Sequence, residues 1–205
     1  IFQNDDKRAQ KDKIAQLFRF VHMQKFDEVA RQMTIRPGAI EFVNKMRRQG
    51  FMVGVLSDSY YVAADIIRRR VFADFAMAHT IQFDGEVCNG QLNINPAFLS
   101  DSDGGFGFPG RYADEKNFKS SKNGKDKQKP MGCKSNVLRS FLADETSPPI
   151  NLTWVVGADP DDLELMQMAD RAFVLTPMSS KLKKIPGITQ VASFEQLVKQ
   201  IPIEN

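Results

Sequence analysis

The sequence predicts an α/β protein on a doubly wound (Rossmann-like), mostly parallel sheet, with a small helical cap and a β-hairpin excursion. Three observations carry that expectation. Two continuous apolar runs of strand length, residues 51–57 and 151–157, lack polar alternation, which is the pattern of strands buried on both faces. Through the second half, such runs alternate with amphipathic segments of three- and four-residue spacing, the signature of βαβ crossovers. Finally, 205 residues with 42% apolar side chains suffice for one sizeable core, at about 150 residues per domain.

The elements follow in order. Ile14, Leu17, Phe18 and Val21, then Phe26, Val29, Ala30 and Met33, recur at helical spacing and predict two small helices. Pro37-Gly38 punctuates the chain, and a helix through Ile40, Phe42, Val43 and Met46 stops at Gly50. After the strand at 51–57, residues 60–71 read as a helix with Val62, Ile66 and Ile67 inward and Arg68, Arg69 and Arg70 at its end, where cations suit the helix dipole. Residues 75–83 and 86–94, joined by Asp84-Gly85, read as a hairpin. The stretch 95–132 is too long for an ordinary connection. A helix at 133–143, strands at 151–157, 172–175 and 188–192, and helices at 163–169 and 194–201 complete the pattern. The organisation expected is a helical cap at 1–35, a core of 36–94 with 133–205, and a basic Gly/Lys-rich insertion at 95–132.

Composition excludes several classes. The apolar runs fall far short of the ~20 residues that cross a bilayer, so no membrane partner is expected. The start, Ile1-Phe2-Gln3-Asn4-Asp5-Asp6, lacks the order of a secretory signal, and a cytoplasmic address is expected. A net charge of +3 argues against a nucleic-acid partner except where it concentrates. It concentrates at 111–134, with Arg111, Lys116, Lys119, Lys122, Lys125, Lys127, Lys129 and Lys134, a solvated loop or a phosphate-attracting flap. Cys88 and Cys133 belong to no ligand cluster and only His22 and His79 accompany them, so reduced thiols and no zinc are expected.

In a doubly wound sheet ligands bind beyond the carboxyl ends of the strands. Two strands are expected to end in polar clusters, Ser57-Asp58-Ser59 and Gly157-Ala158-Asp159-Pro160-Asp161-Asp162, and Cys133-Lys134-Ser135-Asn136 opens a helix between them. A hydroxyl, helix-start N–H groups, an ammonium and a carboxylate cluster together suit a phosphate and Mg2+. Taken singly, each has an ordinary role: Ser57 as a helix cap, Lys134 as a surface charge, the aspartates as acids matched to a helix N-terminus.

Their order resembles motifs II, III and IV of the haloacid dehalogenase (HAD) superfamily, among its phosphoserine phosphatase-like members. Residues 36–59, Asp74-Phe75-Ala76-Met77-Ala78 and the Asp84-Gly85 hairpin are similar to that group in register. The resemblance implies a Mg2+-dependent hydrolase acting on a small phosphorylated metabolite through an aspartyl-phosphate. It implies that Ser57 and Lys134 bind the phosphoryl group together with Asp58 and Ser59, and that Asp159, Asp161 and Asp162 hold the metal, with Asp162 part of the catalytic set. Arg19 and Arg31 are the cap candidates for a substrate carboxylate. Two departures matter. Ala158 stands where the motif IV metal ligand belongs, and no DxDx[TV] motif, the family's source of the nucleophile, occurs. Either the nucleophile strand lies upstream of Ile1, or residues 1–7 are a degenerate first motif with Gln3 at the nucleophile and Asp5 at the acid/base. The first is favoured, since only Ile1 and Phe2 precede Gln3. The alternative function is an inactive pseudophosphatase that binds a phosphate ligand or a protein partner.

Overall fold

A computed structural model describes residues 4–98, 133–143, 149–177 and 185–201, with side chains from residue 11 onward. The lysine cluster before Cys133 lies outside the described residues. In order, the elements are α1 (Asn4–Leu17), α2 (Met23–Gln32), α3 (Ala39–Arg48), β1 (Gly54–Tyr60), α4 (Tyr61–Val71), β2 (Phe75–Asp84), β3 (Val87–Asn93), α5 (Lys134–Ala143), β4 (Trp154–Gly157), α6 (Leu163–Met168), β5 (Arg171–Leu175), β6 (Ile188–Val191) and α7 (Phe194–Gln200).

The strands form two three-stranded groups, β1-β2-β3 and β4-β5-β6. β1 runs parallel to β2, and β4, β5 and β6 run parallel to one another; only β2 and β3 pair antiparallel. Gly85, at a φ of 63°, supplies the left-handed residue of the two-residue turn in that hairpin. Alternation along β2 explains why both faces are covered. Ala76 and Ala78 pack on Ala64 of α4, whereas Phe75 and Met77 pack with Val137 of α5 and Phe98. The second group is sandwiched likewise: Ala172 and Val174 meet Met166 of α6, and Phe173, Leu175 and Val191 meet Phe42, Val43, Leu197 and Val198 of α3 and α7. Burial on both faces is why the strand sequences are continuously apolar.

Three expectations shift. The strand predicted at 51–57 lies at Gly54–Tyr60. Before it, the Asp74 carboxylate accepts the Val53 N–H at 2.8 Å and Phe51 turns its ring onto Trp154, 5.7 Å between centroids. The Ser57-Asp58-Ser59 cluster therefore stands inside the strand, where the register slips between Leu56 and Tyr60, and not beyond its end. Helix α1 begins at Asn4, well before Ile14, so Asp5 stands in the first turn of a helix and not on a strand.

The two groups do not hydrogen-bond to each other. β1 pairs only with β2, and β4 only with β5, among the described residues. An apolar trough of about 620 Å³ is lined by both, including Val55 and Leu56 on one side and Trp154 and Val156 on the other.

Candidate functional site

The site is built where β1, α5 and the turn after β4 converge. β4 ends at Gly157, and Asp159-Pro160-Asp161-Asp162 makes a tight 3-10 turn that leads into α6. The Asp159 side chain accepts the Asp161 N–H at 2.9 Å, and Asp162 Oδ2 accepts the Asp159 N–H at 3.2 Å, which closes a capping box. The other oxygen, Asp162 Oδ1, accepts from Lys134 Nζ at 2.6 Å. Both partners are largely buried, with side chains 13% and 12% exposed. Gly157 makes room for this pair: a Cβ there would lie 2.5 Å from Asp162 Oδ2.

Lys134 is placed by α5, which is fixed beneath the sheet by a buried polar contact. Asn136 donates its side-chain amide to the Phe98 carbonyl at 2.9 Å, and Arg139 bridges Asn136 to Glu164 of α6, at 2.8 Å and 2.7 Å. Burial pulls the Lys134 ammonium toward neutrality, but the hydrogen bond and charge of Asp162, with Asp58 and Asp159, outweigh it and raise its pKa.

On β1, Ser57 Oγ accepts the Ser59 N–H at 3.1 Å, and its own proton has no acceptor among the described residues. The next residue, Asp58, is gripped from α1. Lys11 donates to the Asp58 backbone carbonyl and, at 3.0 Å, to its carboxylate. Burial raises the Asp58 pKa, yet Lys11, and at longer range Lys134, hold it below the ordinary carboxylate value. Asp58 thus lies under the influence of two ammonium groups from different parts of the chain. α1 is held in this position by Phe18, whose ring meets Tyr60 and Phe26 edge-on, and by a strand-like contact of Phe20 and Val21 with Cys88.

Solved structures similar to this one include phosphoserine phosphatases and a HAD family hydrolase. The chain matches an apo phosphoserine phosphatase with a TM-score of 0.66 at 17% identity, covering 97% of this chain and 83% of that one. It matches a phospho-aspartyl intermediate analogue of phosphoserine phosphatase with a TM-score of 0.65 at 16% identity, over 95% of this chain and 77% of that one. A HAD family hydrolase from Salmonella enterica serovar Typhi gives 0.66 at 15% identity, over 97% and 57%. The fold is that of the HAD hydrolases. No protein-family model matches the chain. One curated relative, a phosphoserine phosphatase of Streptomyces coelicolor, is 24% identical over 143 residues, 70% of this chain. The chain spans only 27% of that relative's length.

Within this HAD-type fold, the structure brings Lys134 and Asp162 into contact and sets Asp58, next to Ser57, within their electrostatic reach. It does not bring in Arg19, which is exposed over the Phe20 ring at 4.8 Å, or Arg31, which pairs with Asp27 at 2.5 Å. Nor does it gather Asp159, Asp161 and Asp162 as a metal-ligating set: among the described residues no three His, Cys, Asp or Glu side chains are grouped to hold a metal ion. Asp162 spends one oxygen on Lys134 and the other on a backbone N–H, Asp159 caps the turn, and Ala158 packs against the core. The residues described do not by themselves fit Mg2+.

Two residues escaped the sequence reading. Lys11 lies three and four positions before Ile14 and Ala15, on the face of α1 that turns inward, so helical spacing extended by one turn would have found it. His79 continues the Phe75, Met77 alternation of β2 and is fully buried. Its Nδ1 accepts the Asn95 N–H at 3.3 Å, its ring meets Phe98, and its Nε2 has no partner among the described residues. A hollow of about 1150 Å³, lined by 49–52, 149–152 and the first half of β2 among others, carries none of the predicted site residues.

Proposed function

We infer that this chain is the larger part of a phosphomonoester hydrolase domain of phosphoserine phosphatase type. It would act on a small phosphorylated metabolite through an aspartyl-phosphate, with the nucleophile on a strand outside the described residues. In this reading residues 36–94 and 133–205 are the core, 1–35 the helical cap and 95–132 an insertion. The observation that carries it is the meeting of Lys134 and Asp162 beside the Ser57-Asp58 segment, on a fold shared with phosphoserine phosphatases. An ammonium and a free hydroxyl proton offer two donors to phosphoryl oxygens, and in a partly buried site such charge-assisted bonds are strong.

The trough supports the placement of the nucleophile. Two parallel strands, β1 and β4, each have one unpaired edge on a common apolar hollow, and unpaired strand edges call for a partner. The buried Trp154 Nε1–H, also without a partner among the described residues, lacks an acceptor there. A strand laid between β1 and β4 would supply carbonyls to both edges and deliver its last residues beside Ser57 and Lys134. The described residues do not form a Mg2+ site by themselves, and the assay with Mg2+ and with EDTA tests metal dependence.

Ala158, and the lack of a three-carboxylate cluster among the described residues, favour a second reading, an inactive domain that binds a phosphate ligand. Hydrolysis of p-nitrophenyl phosphate by the intact gene product, with Mg2+ and with EDTA, separates the two. Turnover lost in Lys134→Ala is expected. Phosphate binding with no turnover in either condition would establish the second reading in place of the first.

A further inference from the structure

We propose that Asp58 is a built-in anion that occupies, between Lys11 and Lys134, the place an anionic ligand takes, and that Lys11 is a second cation of the phosphate site. The proposal rests on the phosphate-binding reading above and adds to it a residue from the N-terminal helix. Lys11 is only 18% exposed, and its Nζ closes on both the backbone carbonyl and the carboxylate of Asp58. A helix tied to a strand merely for strength would need no charge at this point, since Phe18, Phe20 and Val21 already dock α1 and its following turn. Asp58 directly follows Ser57 and feels Lys134 as well as Lys11. Its side chain is 43% exposed, so the carboxylate has a route into solvent when another anion arrives.

A second observation lies close by. The fully buried His79 pairs across the sheet with Tyr60, two residues from Asp58, and both Lys11 and Asp58 act on its charge. Its Nε2 is buried without a hydrogen-bond partner among the described residues, a costly arrangement unless something else meets it.

Competition sets the direction of the test. While Asp58 is ionised and paired, a phosphate must displace it; an amide of the same shape offers Lys11 no charge to hold. Inorganic phosphate is titrated calorimetrically into the intact gene product at pH 7 and fixed ionic strength. Asp58→Asn should bind phosphate about three- to tenfold more tightly than the parent, and Lys11→Gln in that background should abolish the gain. Lys11→Gln alone should weaken binding. If the parent binds phosphate and Asp58→Asn binds it equally or less well, the inference is overturned while the phosphate-site reading stands. If Asp58→Asn fails to fold by circular dichroism, Lys11→Gln decides alone, and unchanged affinity there overturns the inference. Folded parent and variants that all ignore phosphate would bring down both.

Discussion

His79 is a fully buried titratable residue, and its energetics can be read in solution. Burial, and after it the charge of Lys11, lower its pKa to about 4, with Asp58 partly opposing the shift. In the unfolded chain a histidine titrates near 6.5. Between those values the unfolded state binds more protons than the folded one, so stability rises with pH and is lost as pH falls from about 6.5 toward 4. The loss amounts to at most about 3 kcal/mol. Thermal unfolding followed from pH 7.5 to 4.5 should show a Tm that drops through this window, and His79→Gln should flatten the drop. A parent Tm that stays level across the window would contradict the buried, neutral imidazole. His79 was legible in the sequence only as one of two histidines, because nothing in a strand pattern reveals which polar side chain faces a packed helix.

At the scale of elements, the turn between β4 and α6 sets the geometry of the site. Gly157 there lies against the Asp162 carboxylate and the Met166 methyl, where a Cβ would come within 2.5 Å and 2.8 Å. Gly157→Ala should therefore cost about 1–3 kcal/mol in urea unfolding and should weaken phosphate binding by displacing the partner of Lys134. Full stability in this variant would show that the turn yields easily. The elements themselves were the most readable part of the sequence. β2, β3, α4, α5, α7 and the strands of the second group fall within a few residues of the periodicity, because apolar spacing and glycine breaks act locally. β1 moved because the competitors for its first residues are distant, namely Asp74 for the Val53 N–H and Trp154 for the Phe51 ring. α1 began early because its first turns are charged and carry little apolar signal. The contact of Lys134 with Asp162 joins two residues that the motif order singles out. The contact of Lys11 with Asp58 bridges 47 residues, and no local pattern reveals it.

For the molecule as a whole, the division into two strand groups about a shared trough governs behaviour beyond the site. No described helix is long and apolar enough to cross a membrane, and both groups are packed on each face by helices. The Phe42, Val43 and Leu197 cluster continues from α3 and α7 beneath both groups, reaching Val55 of β1 and Val156 of β4. Among the described residues, helix packing and not strand pairing holds β1 and β4 near each other. The chain's single tryptophan stands at this divide, between the rings of Phe51 and Phe173, with the Arg171 guanidinium 4.9 Å above it. It is thereby an intrinsic optical probe of the divide. Filling the trough would exclude water from the indole and give its N–H an acceptor, so its emission should move to shorter wavelength and become harder to quench with iodide. An emission maximum at the wavelength of a water-exposed indole in the intact gene product would mean that nothing enters beside Trp154. The same spectrum, recorded during refolding, would time the joining of the two halves separately from the formation of either.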